Sequence, residues 1–284
     1  MPVLLVNSAG EFLRQTEVLR SQDPFRTNLV GSVASSVASG ARKYDRYFWW
    51  IVSDNQGQIV GAAMRTAPHG LVLLPMPLPA VRELAQAVST YDDEFPEVAG
   101  PARTVGAFLD AYKESKSAGS TRGIEKSGSQ LIYALNKLEV SKASGTLIPA
   151  DQSDFDLVLG WLEAFTVEAG ITSPHLSEAI VDGLRRRSLH FWIIDGEKVS
   201  MAGHAPLVET PSGTIARIGP VYTPKEHRSN GYASALTAAL SEKLMAGGAK
   251  VMLYTDAANP TSNSIYQRIG YELIDENTSF RFLS

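Results

Sequence analysis

Two stretches of this chain share one pattern. "YFWWIVSDNQGQIVGAAM" (47–64) and "HFWIIDGEKVSMAG" (190–203) each read as an aromatic, β-branched strand, a polar turn with Asp and Gly, and a second strand ending in small residues. That is the signature of a β-hairpin. Each is preceded by helical sequence: "GEFLRQTEVLRSQ" and "LVGSVASSVASGARK" before the first, "SDFDLVLGWLEAFTVEAG" and "LSEAIVDGLRRRS" before the second. The period of about 140 residues is too long for a solenoid and predicts two tandem domains of one α+β fold. Each should be a mixed, mostly antiparallel sheet with flanking helices. The Ser/Gly/Lys-rich "LEVSKASGTLIPADQ" (138–152) places the boundary at 143/144, with "GTLIPA" as the first strand of the second copy. The similarly composed "KESKSAGSTRGIEKSGS" (113–129) reads as a loop within the first copy.

The 284 residues suffice for two such domains, and 44% hydrophobic against 20% charged residues allows each a packed core. A net charge of −4 argues against nucleic acid as a partner, because phosphate neutralisation needs a basic field. There is no cysteine, which excludes disulfides, thiolate nucleophiles and cysteine-based zinc sites. No run approaches the length of a membrane span, and "MPVLLVNSAGEF" is too short in apolar residues for a signal peptide. The expectation is a cytoplasmic protein with no membrane partner.

Chemistry concentrates in the second copy. "GTIARIGPVYT" (213–223) is a strand candidate ending at Pro224. A charged loop follows, and then Arg228-Ser229-Asn230-Gly231-Tyr232-Ala233-Ser234 opens a helix with Ala233, Leu236, Leu240 and Leu244 on one stripe, ended by Gly247-Gly248. "KVMLYT" (250–255) is a buried strand, and Asn259-Pro260 is an N-cap and first-turn proline for a helix that stops at Gly270. Amides at a helix start, the positive end of its dipole, a glycine without Cβ and an arginine together suit a pyrophosphate. Neither a P-loop nor a dinucleotide fingerprint is present. The bland alternative is an ordinary turn before a helix.

These residues resemble the GNAT superfamily of acyl-coenzyme-A-dependent N-acyltransferases. Its pattern R/Q-x-x-G-x-G/A is met by Arg228, Gly231 and Ala233, and its later Asn, Tyr and Gly-Phe/Tyr by Asn259, Tyr266, Gly270 and Tyr271. The resemblance implies acetyl-coenzyme A as acyl donor, no metal, and a small-molecule amine as acceptor. It implies a strand ending at Val221, Tyr222 and Thr223 that splays from "KVMLYT" to admit the pantetheine arm, with the pyrophosphate on the amides from Arg228 to Ala233. Asn259, with Ser262 one turn before Tyr266, would face the arm from the other side. The Val221 N–H would stabilise the oxyanion and Tyr266 would protonate the leaving thiolate.

Many relatives carry a Glu on the strand before the cradle as base, where this chain has Ile215, Ala216, Arg217, Ile218 and Gly219. His204 in "MAGHAPL" is the candidate replacement, and Glu168, at a helix end, the next. In the first copy "MPLPAVRELAQAV" occupies the place of the cradle, and prolines 75, 77 and 79 remove amide donors. Residues 1–143 should therefore be a degenerate copy and 144–284 the acetyl-coenzyme-A-binding one. Tandem members of the superfamily are similar in transferring from the C-terminal copy. A non-catalytic, coenzyme-A-binding or sensory protein is the alternative.

Overall fold

A similar succession of elements, with one more helix in the first half and one more strand in the second, runs twice through the computed structural model, which describes residues 1–91, 95–115, 123–139, 143–171, 173 and 175–283. The first half forms β1 (Val3–Val6), α1 (Ala9–Gln15), α2 (Glu17–Gln22), α3 (Asn28–Ala38), β2 (Tyr47–Ser53), β3 (Ile59–Thr66), β4 (Leu71–Leu73), α4 (Leu78–Tyr91), β5 (Glu97–Pro101), α5 (Ala102–Ser115) and β6 (Ile124–Leu135). The second forms β7 (Thr146–Pro149), α6 (Phe155–Ala169), α7 (Leu176–Arg185), β8 (Leu189–Ile194), β9 (Glu197–His204), β10 (Val208–Thr210), β11 (Gly213–Tyr222), α8 (Tyr232–Ala246), β12 (Lys250–Asp256), α9 (Pro260–Arg268) and β13 (Tyr271–Phe282). The hairpins expected from the repeat are β2–β3 and β8–β9, both antiparallel. No helix among the described residues is long and apolar enough to cross a membrane.

The strands read as continuous hydrophobic runs because helices cover both sheet faces. Trp50 and Val52 pack under α4 and α5 with Leu84 and Phe108, whereas Trp49 and Ile51 pack under α1 and α3 with Phe12 and Val30. In the second half Phe191 meets Val158, Leu162 and Ile180 of α6 and α7, while Trp192 turns to Leu236 and Leu240 of α8. Successive residues on one strand thus serve two cores.

The sheet order is β1-β2-β3-β4-β5-β13-β6-β12-β11-β9-β8-β7, with β10 paired to β11. The closing strand of each half has been exchanged. β13 lies against β5, from Asn277↔Pro101 to Arg281↔Glu97, and β6 lies against β12, from Met252↔Ala134 to Asp256↔Gln130. β6 and β13 also pair with each other at the centre. Only β4–β5 and β11–β12 run parallel. The expected loop at 113–129 is corrected here. Its residues from Ile124 onward belong to β6, whose central position the polar composition concealed, and 116–122 lie outside the described residues. A polar clamp adds to the exchange: Arg26 donates to Asp275 Oδ2 at 2.6 Å, to the Ile274 carbonyl at 2.8 Å and to Asp23 Oδ2 at 3.0 Å.

Candidate functional site

The parallel pair β11–β12 comes apart. Pairing runs from Ile215↔Lys250 to Ile218↔Leu253 and stops. A bulge between Ile218 and Val221 inserts one extra residue against β9, after which Val221 and Tyr222 stay with β9 while β12 stays with β6 as far as Asp256. Backbone groups that face the gap from 219–222 and 254–256 have no ladder partner across it. The matching pair in the first half stays shut. Leu71 and Val72 pair with Val98 and Ala99, and Gly100 (φ +151°) lies so close that a Cβ there would come within 2.6 Å of the Leu73 carbonyl oxygen.

Below the open gap, residues 223–231 connect β11 to α8. Lys225–His227 form one 3-10 turn, Ser229 and Gly231 take φ of +67° and +78°, and Asn230 Nδ2 ties the loop by donating to the carbonyls of His227 and Arg228. Gly231 is the N-cap of α8 and offers no side-chain cap. The first helical bond is Ala235 N–H to Gly231 O, so the amides of Tyr232, Ala233 and Ser234 lack side-chain partners at the positive end of the dipole. A Cβ on Gly231 would meet only Ala143 Cβ, at 3.7 Å, so the backbone requires this glycine for its φ rather than for space among neighbouring protein atoms. In the first half the connection is only 74–77, and Pro79 removes a donor from the first turn of α4.

Arg228 is already engaged. Its Nη2 donates to both oxygens of Glu168, at 2.9 and 2.7 Å, and its Nε to the Thr223 carbonyl at 2.9 Å. The guanidinium also lies 5.8 Å from the Tyr222 ring centre. Glu168, weighed as a base, is thus the ionic partner of the cradle arginine. Tyr222 points away from the gap into the α6–α7 core, beside Trp161. Thr223 Oγ1 and Ser200 Oγ are 2.7 Å apart, and Ser200 donates to the Tyr222 carbonyl.

Across the gap, Asn259 caps α9 by accepting from Ser262 N–H at 3.0 Å, which leaves its Nδ2 available. Tyr266 is buried, its ring 6.0 Å from that of Tyr271. The two phenols differ: Tyr271 hydrogen-bonds Ser241 Oγ at 2.7 Å, while no partner for the Tyr266 hydroxyl occurs among the described residues. Burial pushes the Tyr266 pKa up to about 12.

His204 ends β9 opposite Ile218, the last residue paired before the gap. Its Nδ1 is 2.9 Å from the Ala205 carbonyl oxygen. Burial lowers its pKa, and the cations of Arg186 and Lys243 act in the same direction. His190 belongs to the same cluster: Lys243 Nζ lies 2.8 Å from its Nε2, and burial, then Lys243, bring its pKa down to about 4. His204 therefore sits in a desolvated structural cluster on the α8 side of the sheet. The β11 residue that sequence reasoning passed over is Arg217. It lies 5.3 Å from the Tyr254 ring centre on the opposite face, legible as a charge within an otherwise apolar strand.

Residues 193–280 match the family model described as FR47-like protein. A search of curated proteins gives no match. Among solved structures, a GNAT-family acetyltransferase from Colwellia psychrerythraea is 13% identical with a TM-score of 0.61, covering 99% of this chain and 100% of its own. A GCN5-related N-acetyltransferase from Sphaerobacter thermophilus is 14% identical at TM-score 0.63, covering 98% and 95%. A tandem GNAT protein from the clavulanic acid biosynthesis pathway is 13% identical at TM-score 0.55, covering 98% of each chain. The α+β fold expected from the sequence is shared with these GNAT structures over nearly the whole chain, and the family-model match supports the GNAT resemblance over residues 193–280.

Proposed function

We propose that the protein is an acetyl-coenzyme-A-dependent N-acetyltransferase acting on a primary amine of a small molecule, with residues 144–284 binding the donor and 1–143 a degenerate copy. The observation that carries this reading is the coincidence of an open strand gap with uncapped helix amides beneath it, in the second half. In the first half the strands are closed and the connection is short and proline-rich. Bound acetyl-coenzyme A supplies a thioester carbon open to attack by a neutral amine. The chain's own groups then divide the work. Amides from Ser229 to Ser234 and the Arg228 guanidinium hold the diphosphate, and the backbone at Val221 and Thr223 and the Asn259 amide hold the pantetheine arm.

The Val221 N–H donates to the thioester oxygen as negative charge grows there. As the N–C bond forms and the C–S bond breaks, Tyr266 O–H donates to the departing sulfur. A phenol at about 12 is a weaker acid than a thiol near 8.5, so Tyr266 stabilises the sulfur chiefly as a hydrogen-bond donor. The amine proton ends on the thiol. No carboxylate occupies 215–219, Glu168 is committed to Arg228 and His204 lies in its structural cluster on the α8 side, so an ammonium acceptor gives up its first proton to water before attack. The same lack of a strand carboxylate favours the second reading, a non-catalytic protein that only binds coenzyme A. Thiol release from acetyl-coenzyme A across a panel of primary amines separates the two. Amine-dependent turnover supports the enzyme, and donor binding without turnover on any amine supports the sensor.

A further inference from the structure

Arg217 alternates on β11 with Ala216 and Ile218, which belong to the α8-side core, so its side chain emerges on the face covered by the first half. There Ile215, Met252 and Tyr254 pack with Phe25 from the connection between α2 and α3. Arg217 sits one residue before Ile218, at the apex of the gap, and is half-buried. No ion pair or hydrogen bond to its guanidinium occurs among the described residues. The Tyr254 ring lies beside the cation but leaves its N–H donors unused.

The neighbouring charges leave it unpaired. Asp23 and Asp275, the carboxylates on this face, are both taken by Arg26. Burial disfavours its charge, the Tyr254 phenol favours it, and the other nearby charge is a cation, Arg42, exposed beyond the end of α3. Donors gather here too. The Tyr254 hydroxyl is buried against the Leu29 backbone in the first turn of α3, whose amide points at the phenol oxygen, so its O–H is left to donate. Next to Leu29, Asn28 is 3% exposed with neither Nδ2 nor Oδ1 paired. Asn28 shares a helix face with Gly31, which approaches Val208 of this same core. Buried polar groups are ordinarily satisfied, so an unpaired arginine beside a phenol with a free O–H, and an unpaired amide one residue from the phenol's Leu29 neighbour, point to a ligand.

Resting on the acetyltransferase reading, we propose that the acceptor is an amine that also carries a carboxylate, as an amino acid does, and that Arg217 determines this specificity. The planar guanidinium grips the carboxylate bidentately, Tyr254 O–H and Asn28 Nδ2 donate to it, and Asn28 Oδ1 accepts from the amine end. Both halves then build the acceptor site: β11 and β12 from the second, the start of α3 from the first.

The test compares thiol release from acetyl-coenzyme A with the common amino acids and with their amides, which keep the amine and lose the carboxylate. Acids should exceed amides in kcat/KM by about thirtyfold or more, and Arg217→Met should erase that preference while the dissociation constant of acetyl-coenzyme A stays unchanged. Removing an unpaired buried cation should also leave the unfolding midpoint of free Arg217→Met equal to or above that of the wild type, which excludes misfolding as the cause. Equal rates for acids and amides, or a preference that survives in Arg217→Met, would overturn the proposal. So would inertness of both sets in a protein that binds acetyl-coenzyme A and acetylates other amines. Failure to bind acetyl-coenzyme A at all would instead sink the acetyltransferase reading, and this proposal with it.

Discussion

Arg228 and Glu168, sixty residues apart, are joined by two hydrogen bonds from one guanidinium nitrogen to both carboxylate oxygens. The bridge links the cradle beneath β11 to the C-terminal end of α6. A diphosphate on the cradle would compete with Glu168 for the same donors, and the carboxylate would repel it.

Glu168→Gln should therefore tighten acetyl-coenzyme A by about threefold, the scale of an exposed ion pair. Arg228→Met should weaken it by about tenfold or more through loss of charge-assisted bonds to phosphate. Isothermal titration reads both. Weaker binding in Glu168→Gln would mean that the bridge positions Arg228 for the ligand instead of competing with it.

Tyr266 has its ring in the core and its hydroxyl unpartnered. Tyr266→Phe should keep the unfolding free energy within about 0.5 kcal/mol of wild type and the donor KM nearly unchanged, while kcat falls about a hundredfold or more. Full kcat in this variant would show that Tyr266 does not stabilise the departing sulfur.

The exchanged strands give a test of the architecture. Residues 144–284 alone leave β12 and β13 without β6, and β13 without β5. That fragment should show no cooperative unfolding and bind no acetyl-coenzyme A, and co-expression with 1–143 should restore both. A fragment that binds with full affinity on its own would show that the exchange is dispensable.

His190 is 1% exposed, and burial holds its pKa near 4 against an ordinary 6.5. Between those values the unfolded chain takes up a proton that the folded protein refuses. Its contribution is thus complete above pH 6.5 and is lost as pH falls toward 4, on the order of 3 kcal/mol at most. Urea unfolding of wild type and His190→Gln between pH 7.5 and 4.5 should show the steeper loss in wild type. Parallel curves would contradict the assignment.

The hairpins, the 228–231 turn into α8 and the α9 cap were legible because each is local: an Asp-Gly turn, a glycine before an Ala/Leu helix, an Asn-Pro start. The strand exchange was not, because nothing in "SGSQLIYALNKLEV" distinguishes pairing with β5 from pairing with β12. A polar, glycine-containing stretch reads as a loop until its partners are known. The Arg228–Glu168 bridge and the Arg217–Tyr254 pair were likewise hidden, since each joins segments that sequence periodicity cannot bring together. Arg217 alone left a trace, as a charge in a strand whose neighbours are apolar.

Donor binding at the second half is the property on which every proposed catalytic role depends. Calorimetric titration of acetyl-coenzyme A into wild type should give one site per chain, and Arg228→Glu combined with Gly231→Asp should abolish it while the fold persists by circular dichroism. No binding to wild type, or undiminished binding to the double variant, would contradict it.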